Sequence, residues 1–158
     1  MKVFVTVGTT RFDSLVREVL RETVTQTLKD RGYTSIKVQA GKSVVPSSEN
    51  TPVGVEVYDY KPSLREDIAE ADLVVAHAGA GTCLEVLGAN KPLVVVVNDQ
   101  LMDNHQTELA ERLAKDNHCV HCVPATLAQT LADFSPEFLA LFPPGNPKAF
   151  ADFVDSLF

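Results

Sequence analysis

The chain opens on a β-branched, apolar run, Lys2 to Val7, that Gly8-Thr9-Thr10 breaks. Phe12, Leu15, Val16, Val19, Leu20, Val24 and Leu28 then recur at helical spacing as far as Gly32. The pattern predicts a strand, a tight turn and one long amphipathic helix. Ser35 to Gln39 reads as a second short strand, Gly41 to Pro52 as a polar loop with two prolines, and Val53 to Tyr58 as a third strand. After Pro62, Ser63-Leu64-Arg65-Glu66 has the capping-box pattern of a short helix ending near Ala71, and Leu73 to Ala76 reads as a buried strand. His77-Ala78-Gly79-Ala80-Gly81-Thr82 leads into a helix, Cys83 to Ala89, which stops before Lys91-Pro92 and the all-apolar strand Leu93 to Val97. Asn98 to Met102 is a loop. Asp103-Asn104-His105-Gln106 repeats the capping-box pattern ahead of a helix whose inward face is Leu109, Ala110 and Leu113. His118 to Val123 is the last short strand, with helical patterns at Ala125 to Ala132 and Pro147 to Leu157.

Strands that do not alternate in polarity are buried on both faces, and their interleaving with helices points to an α/β fold. The expected form is an open, mostly parallel, Rossmann-like sheet with helices on both faces. With no internal repeat and no linker-like segment, 158 residues read as one domain, 1–158. A chain of this size buries roughly 70% of the surface its unfolded form exposes, so disorder is not expected.

Charge narrows the functional classes. Lys and Arg number 14 against 21 Asp and Glu, a formal charge of −7, which argues against tracking nucleic-acid phosphates or binding anionic lipid by charge alone. An anionic ligand must be held locally. The longest wholly apolar run, Leu93 to Val97, is far short of the ~20 residues of a membrane span. Lys2 leads straight into a strand with no signal-like apolar region, which gives the expectation of a cytoplasmic protein. Three cysteines, Cys83, Cys119 and Cys122, fit reduced thiols better than a disulfide framework.

In an open α/β sheet ligands sit outside the carboxyl ends of the strands, and three turns lie there: Gly8-Thr9-Thr10, His77 to Thr82, and Asn98 to Gln106. Gly79 and Gly81 permit close approach of backbone N–H groups to an anion, and a helix N-terminus adds about half a positive charge, so a diphosphate needs no lysine there. The alternative is a plain tight strand-to-helix turn. Glu85 falls one helical turn after Gly81-Thr82, within reach of ribose hydroxyls, or else it is an ordinary solvated glutamate.

Other motifs fail. Gly41-Lys42-Ser43 ends like a P-loop, but Ile36 stands where its first glycine belongs, and Leu84 occupies the third glycine of a dinucleotide fingerprint. Neither ATP hydrolysis nor NAD chemistry is supported. His118-Cys119-Val120-His121-Cys122 lacks the second ligand pair of a structural zinc site, and strand geometry puts Cys119 and His121 opposite His118, Val120 and Cys122. Cys83 has no basic neighbour in sequence and reads as core packing.

Lys2 to Thr10 with Phe12-Asp13, Ala71 to Val75, His77 to Glu85, Lys91 to Val95, Asn104-His105-Gln106 and Phe142-Pro143-Pro144-Gly145 together resemble a known family over nearly the whole chain. It is the cytosolic subunit of the two-subunit UDP-N-acetylglucosamine transferase of asparagine-linked glycan synthesis. That family is similar to the C-terminal, donor-binding half of glycosyltransferases with two facing Rossmann-like domains (GT-B). The resemblance implies UDP-N-acetylglucosamine as donor substrate, with Gly79, Ala80, Gly81 and Thr82 around the diphosphate, His77 beside them, and Glu85 on the ribose. Gly8, Thr9 and Thr10 would form the opposite wall, and one or more of Asn104, His105 and Gln106, first of all Gln106, would hold the sugar hydroxyls.

The implied reaction moves N-acetylglucosamine, with inversion, to the lipid-linked acceptor N-acetylglucosaminyl diphosphodolichol, the second step of lipid-linked oligosaccharide assembly. No metal and no cofactor are implied, and the catalytic base is unassigned, His77 and His105 being candidates by type. The resemblance also implies a membrane-anchored partner that binds the acceptor, forms a heterodimer with this chain and recruits it to the cytosolic face of the endoplasmic reticulum. Phe150, Phe153, Val154, Leu157 and Phe158 form an apolar stripe, so 147–158 reads either as a helix docking that partner or as one packing on its own domain. Alternative functions are a non-catalytic nucleotide-binding interaction or regulatory subunit, the donor subunit of a split polysaccharide-building glycosyltransferase, and a stand-alone nucleotide-binding enzyme.

Overall fold

A computed structural model describes residues 1–46, 51–98, 105–115 and 118–135, and for 105–107 the backbone only. Six strands form one sheet: β1 Lys2–Thr6, β2 Ser35–Gln39, β3 Gly54–Tyr58, β4 Leu73–His77, β5 Leu93–Val96 and β6 Val120–Cys122. All five pairings are parallel, in the order β3-β2-β1-β4-β5-β6. The helices are α1 Asp13–Val19, α2 Glu22–Asp30, α3 Arg65–Glu70, α4 Ala80–Gly88, α5 His105–Lys115 and α6 Leu127–Asp133, the last preceded by a 3-10 turn, Pro124–Thr126. This is the expected open parallel sheet.

The absence of alternation in the strands has the expected cause, since both faces are covered. Val3, Val5, Ile36, Val38, Val75 and Val94 face a core closed by α1, α2 and α6. Phe4, Val74, Ala76, Leu93 and Val95 face a second core closed by α3, α4 and α5. At the C-terminal end of α6, the Arg31 guanidinium donates to the carbonyls of Leu131 (3.2 Å) and Ala132 (2.7 Å), satisfying carbonyls that the helix itself leaves open.

Three expectations need correction. The single long helix is two, because Arg21 (ψ 144°) is extended between α1 and α2. The break carries neither glycine nor proline, and Val19, Leu20 and Val24 all remain buried across it, so the apolar spacing does not register it. Ser63-Leu64-Arg65-Glu66 does not close a capping box: Leu64 is the cap residue, and the Ser63 hydroxyl accepts from the Arg65 N–H at 3.2 Å. Helix α4 begins at Ala80, three residues before the expected start, so the Gly-Ala-Gly turn is largely its first turn. The capping residues Asp103 and Asn104, Phe142 to Gly145 and the apolar stripe of 147–158 lie outside the described residues.

Candidate functional site

The chain runs β1 to β3 in one direction across the sheet and then returns to place β4 on the other side of β1. The loops leaving β1 and β4 therefore diverge at their carboxyl ends and leave a crevice between them. A cleft of about 410 Å³ lies there, between the Gly8 turn, the segment after β3 and the start of α4.

The first wall is a turn in which the Thr10 N–H donates to the Val7 carbonyl at 3.2 Å. Gly8 sits at φ +64°, a left-handed conformation that glycine adopts without steric cost. Gly8 and Thr9 line the cleft. Thr10 does not: its hydroxyl is committed to the Val7 carbonyl at 2.7 Å and holds the turn closed. The Gly41-Lys42-Ser43 segment, rejected as a P-loop, braces this turn from behind. Gly41 (φ +57°) packs so closely that a Cβ there would stand 2.7 Å from the Thr10 carbonyl oxygen, and the Ser43 hydroxyl accepts from the Phe12 N–H at 2.7 Å.

The opposite wall is the start of α4. Gly79 is the cap residue and offers no side-chain acceptor, and the first turn contains no acidic residue. The leading N–H groups of the helix, around Ala80, Gly81 and Thr82, are thus left for an acceptor from outside. Gly79, Gly81 and Thr82 line the cleft, as does the exposed Glu85 one turn on. Ala80 is half-buried and is not part of the lining.

His77 joins the two walls. It ends β4, is 7% exposed and lines the cleft, and its ring packs between two glycines: a Cβ on Gly8 would meet Cε1 at 2.9 Å, and one on Gly79 would meet Nε2 at 2.3 Å. Its Nδ1 is buried, and among the described residues no side chain bonds to it. Burial pushes the imidazole below its usual pKa, with the Thr6 backbone opposing the shift, so the ring is neutral at pH 7. A neutral imidazole beside this helix start leaves the backbone N–H groups there to receive an anionic ligand.

Sequence reasoning missed the floor and the third side. Gln39, Tyr60, Lys61 and Ser63 also line the cleft. Tyr60 is 64% exposed at the rim, where its ring is free to cover a planar group. Lys61 lies over the Tyr58 ring, 4.4 Å from its centroid, and donates to both carboxylate oxygens of Asp67 at 3.4 and 3.2 Å. Their one signal in sequence was position: each sits at or just beyond the carboxyl end of a strand. Of the third expected turn, Asn98 and the backbone of His105 and Gln106 at the start of α5 are described, Asn104 is not, and no side-chain placement follows for the trio.

The cysteines lie elsewhere. All three are free and buried, and burial pushes Cys83 and Cys119 up to about 12 and Cys122 to about 11. Cys119 and Cys122 belong to opposite cores, which matches the expected strand geometry.

Residues 2–157 match the glycosyltransferase family 28 C-terminal domain. The mouse UDP-N-acetylglucosamine transferase subunit ALG13 is 50% identical over 129 residues, which are 80% of this chain but 11% of the mouse protein, so the chain spans about a tenth of that relative's length. The subunit of the same name from Cryptococcus neoformans var. neoformans is 30% identical over an alignment of 190 residues that covers 98% of this chain and 95% of that one. Among solved structures, the solution structure of ALG13 superposes with a TM-score of 0.75 at 27% identity, covering 97% of this chain and 94% of the other. A match from end to end, on a sheet whose switch point carries the cleft, means that the chain belongs to the glycosyltransferase family 28 C-terminal domain family, with the UDP-N-acetylglucosamine transferase subunits among its relatives.

Proposed function

We propose that the chain is the donor-binding subunit of an inverting glycosyltransferase that uses UDP-N-acetylglucosamine. The observation that carries this reading is the uncapped start of α4 opening on the cleft, opposite the Gly8 turn and beside the His77 ring. Transfer leaves negative charge on the departing UDP. Oriented N–H groups at a helix start stabilise that charge where it develops, at no cost of reorganisation. Gly79, Ala80, Gly81 and Thr82 would receive the diphosphate, Glu85 the ribose hydroxyls, and Tyr60 the base. Gly8 and Thr9 would close the far side, and Gln106, with Asn104 and His105 beside it, would hold the sugar.

The names of the relatives, each a transferase subunit, support a partner. Among the described residues no helix is long and apolar enough to cross a membrane, so a lipid-linked acceptor such as N-acetylglucosaminyl diphosphodolichol would be presented by a membrane-anchored subunit at the cytosolic face of the endoplasmic reticulum. That subunit or this one supplies the base for the acceptor hydroxyl.

Calorimetric titration of the chain with UDP, UDP-N-acetylglucosamine and NAD tests the reading. The expected result is binding of both uridine ligands and not NAD, with Glu85→Ala weakening both by about tenfold, the size of one lost hydrogen bond to a charged group. Gln106→Ala should weaken only the sugar nucleotide. Binding of NAD, or no uridine ligand bound either alone or with the partner subunit, overturns it.

A further inference from the structure

Gln39 ends β2 beneath the cleft and is 1% exposed. A carboxamide carries two donors and an oxygen with two lone pairs, and all four are used. Its Oε1 accepts from the Gly8 N–H at 2.9 Å and from the Thr6 hydroxyl at 2.6 Å. Its Nε2 donates to the Gly8 carbonyl at 2.7 Å and to the Asp59 carbonyl at 2.8 Å. Gly8 is thus gripped through both its backbone groups, while Asp59 opens the segment whose Tyr60, Lys61 and Ser63 line the third side of the cleft.

We propose that Gln39 is a positioning residue of the donor site: its one amide fixes the Gly8 turn against the post-β3 wall and so sets the width of the cleft that receives the nucleotide. This rests on the donor-site reading above. The side chain is not what pairs the strands, because β1 and β2 run in register through Thr6 and Gln39, and the Val7 N–H donates to the Gln39 carbonyl at 3.2 Å. What the amide adds lies beyond the sheet. Other side chains of its size do not replace it: a carboxylate would face two carbonyl oxygens, and a thioether would take the side-chain donor from the Gly8 carbonyl and leave the Asp59 carbonyl with the Gly41 N–H at 2.9 Å. Because Gly8 packs on the His77 ring, a shift of the turn is passed to the residue that joins both walls.

The test titrates UDP into the full chain as wild type, Gln39→Met, Gln39→Glu and Thr25→Val. Thr25 is a fully buried hydroxyl on α2, bonded to the Arg21 and Glu22 carbonyls, so its variant reports loss of stability alone. Gln39→Met should weaken UDP by about tenfold or more, as misplacement of binding groups does, while Thr25→Val stays within about twofold of wild type. Gln39→Glu, normalised to wild type at each pH, should regain affinity as the pH falls, because the protonated acid again donates to one carbonyl; Gln39→Met should show no such recovery. Equal affinities for Gln39→Met and Thr25→Val overturn the inference. Should Gln39→Met not fold, wild-type affinity at every pH in Gln39→Glu overturns it instead. Failure of the wild type to bind UDP, alone and with the partner subunit, is read in a separate arm and sinks the donor-site reading itself.

Discussion

A Cβ on Gly79 would stand 2.3 Å from the His77 ring, whereas one on Gly81 would meet nothing within 4 Å. The sequence writes both as glycine in one turn, and spacing treats them alike. The structure separates them: Gly79 is required by its neighbour, and Gly81 by none of the described residues, although it sits in the first turn of α4, where glycine costs helix stability. The space above Gly81 belongs to the cleft. Gly81→Ala should therefore stabilise the fold by about 0.5–1 kcal/mol, a rise in melting temperature of roughly 2 °C, while weakening UDP binding at least tenfold. A thermal melt and a titration on the same preparation check it, and a variant that loses stability, or keeps its affinity, contradicts it. Gln39 was invisible at this scale because its sequence context, Lys37-Val38-Gln39-Ala40, reads only as the end of a strand. Its role comes from Gly8 and Asp59, which are distant in the chain.

At the scale of elements, period and punctuation were enough to find every strand to within three residues at each end, since strands buried on both faces leave an unmistakable apolar run. They failed at helix starts, where side chains compete for the same backbone groups. Asp67 shows what pattern does not reveal. On α3 it is buried yet accepts from the Lys37 ammonium at 3.1 Å, from Lys61 and from the Tyr58 hydroxyl. Burial favours its neutral form, but these three donors outweigh that and hold its pKa below the usual carboxylate value. Lys37 in turn lies 3.8 Å from Glu56 and 3.9 Å from Glu70, in a recess of about 240 Å³ that contains none of the residues expected to bind ligand. The cluster ties α3 to β2, β3 and the Lys61 wall of the cleft. Asp67→Asn should cost about 2 kcal/mol, less than a fully buried pair because both lysines reach solvent, and urea unfolding measures it.

At the scale of the molecule, buried groups of two kinds set the response to acid. His77 is held below its ordinary value, so protonation favours the unfolded chain: stability is complete above about pH 6.5 and falls as the pH drops below that. Asp67 is also lowered, but as an acid its contribution is present above the unfolded value of ~3.9 and is lost as the pH falls through it towards the folded one. Melting temperature against pH should show two declines, the first absent in His77→Gln and the second diminished in Asp67→Asn. A single decline common to wild type and both variants would contradict the assignment.

The hydrogen bonds of Gln39 reach back 31 residues and forward 20, and His77 arrives from β4 only after three crossovers have been laid down. No short fragment of the chain contains the cleft, whose lining runs from Gly8 to Glu85. Parallel pairings of such separation form late, after loop closure has been overcome. The pocket is accordingly a certificate of completed folding: a chain that holds nucleotide has already put β1, β2, β3 and β4 in their places.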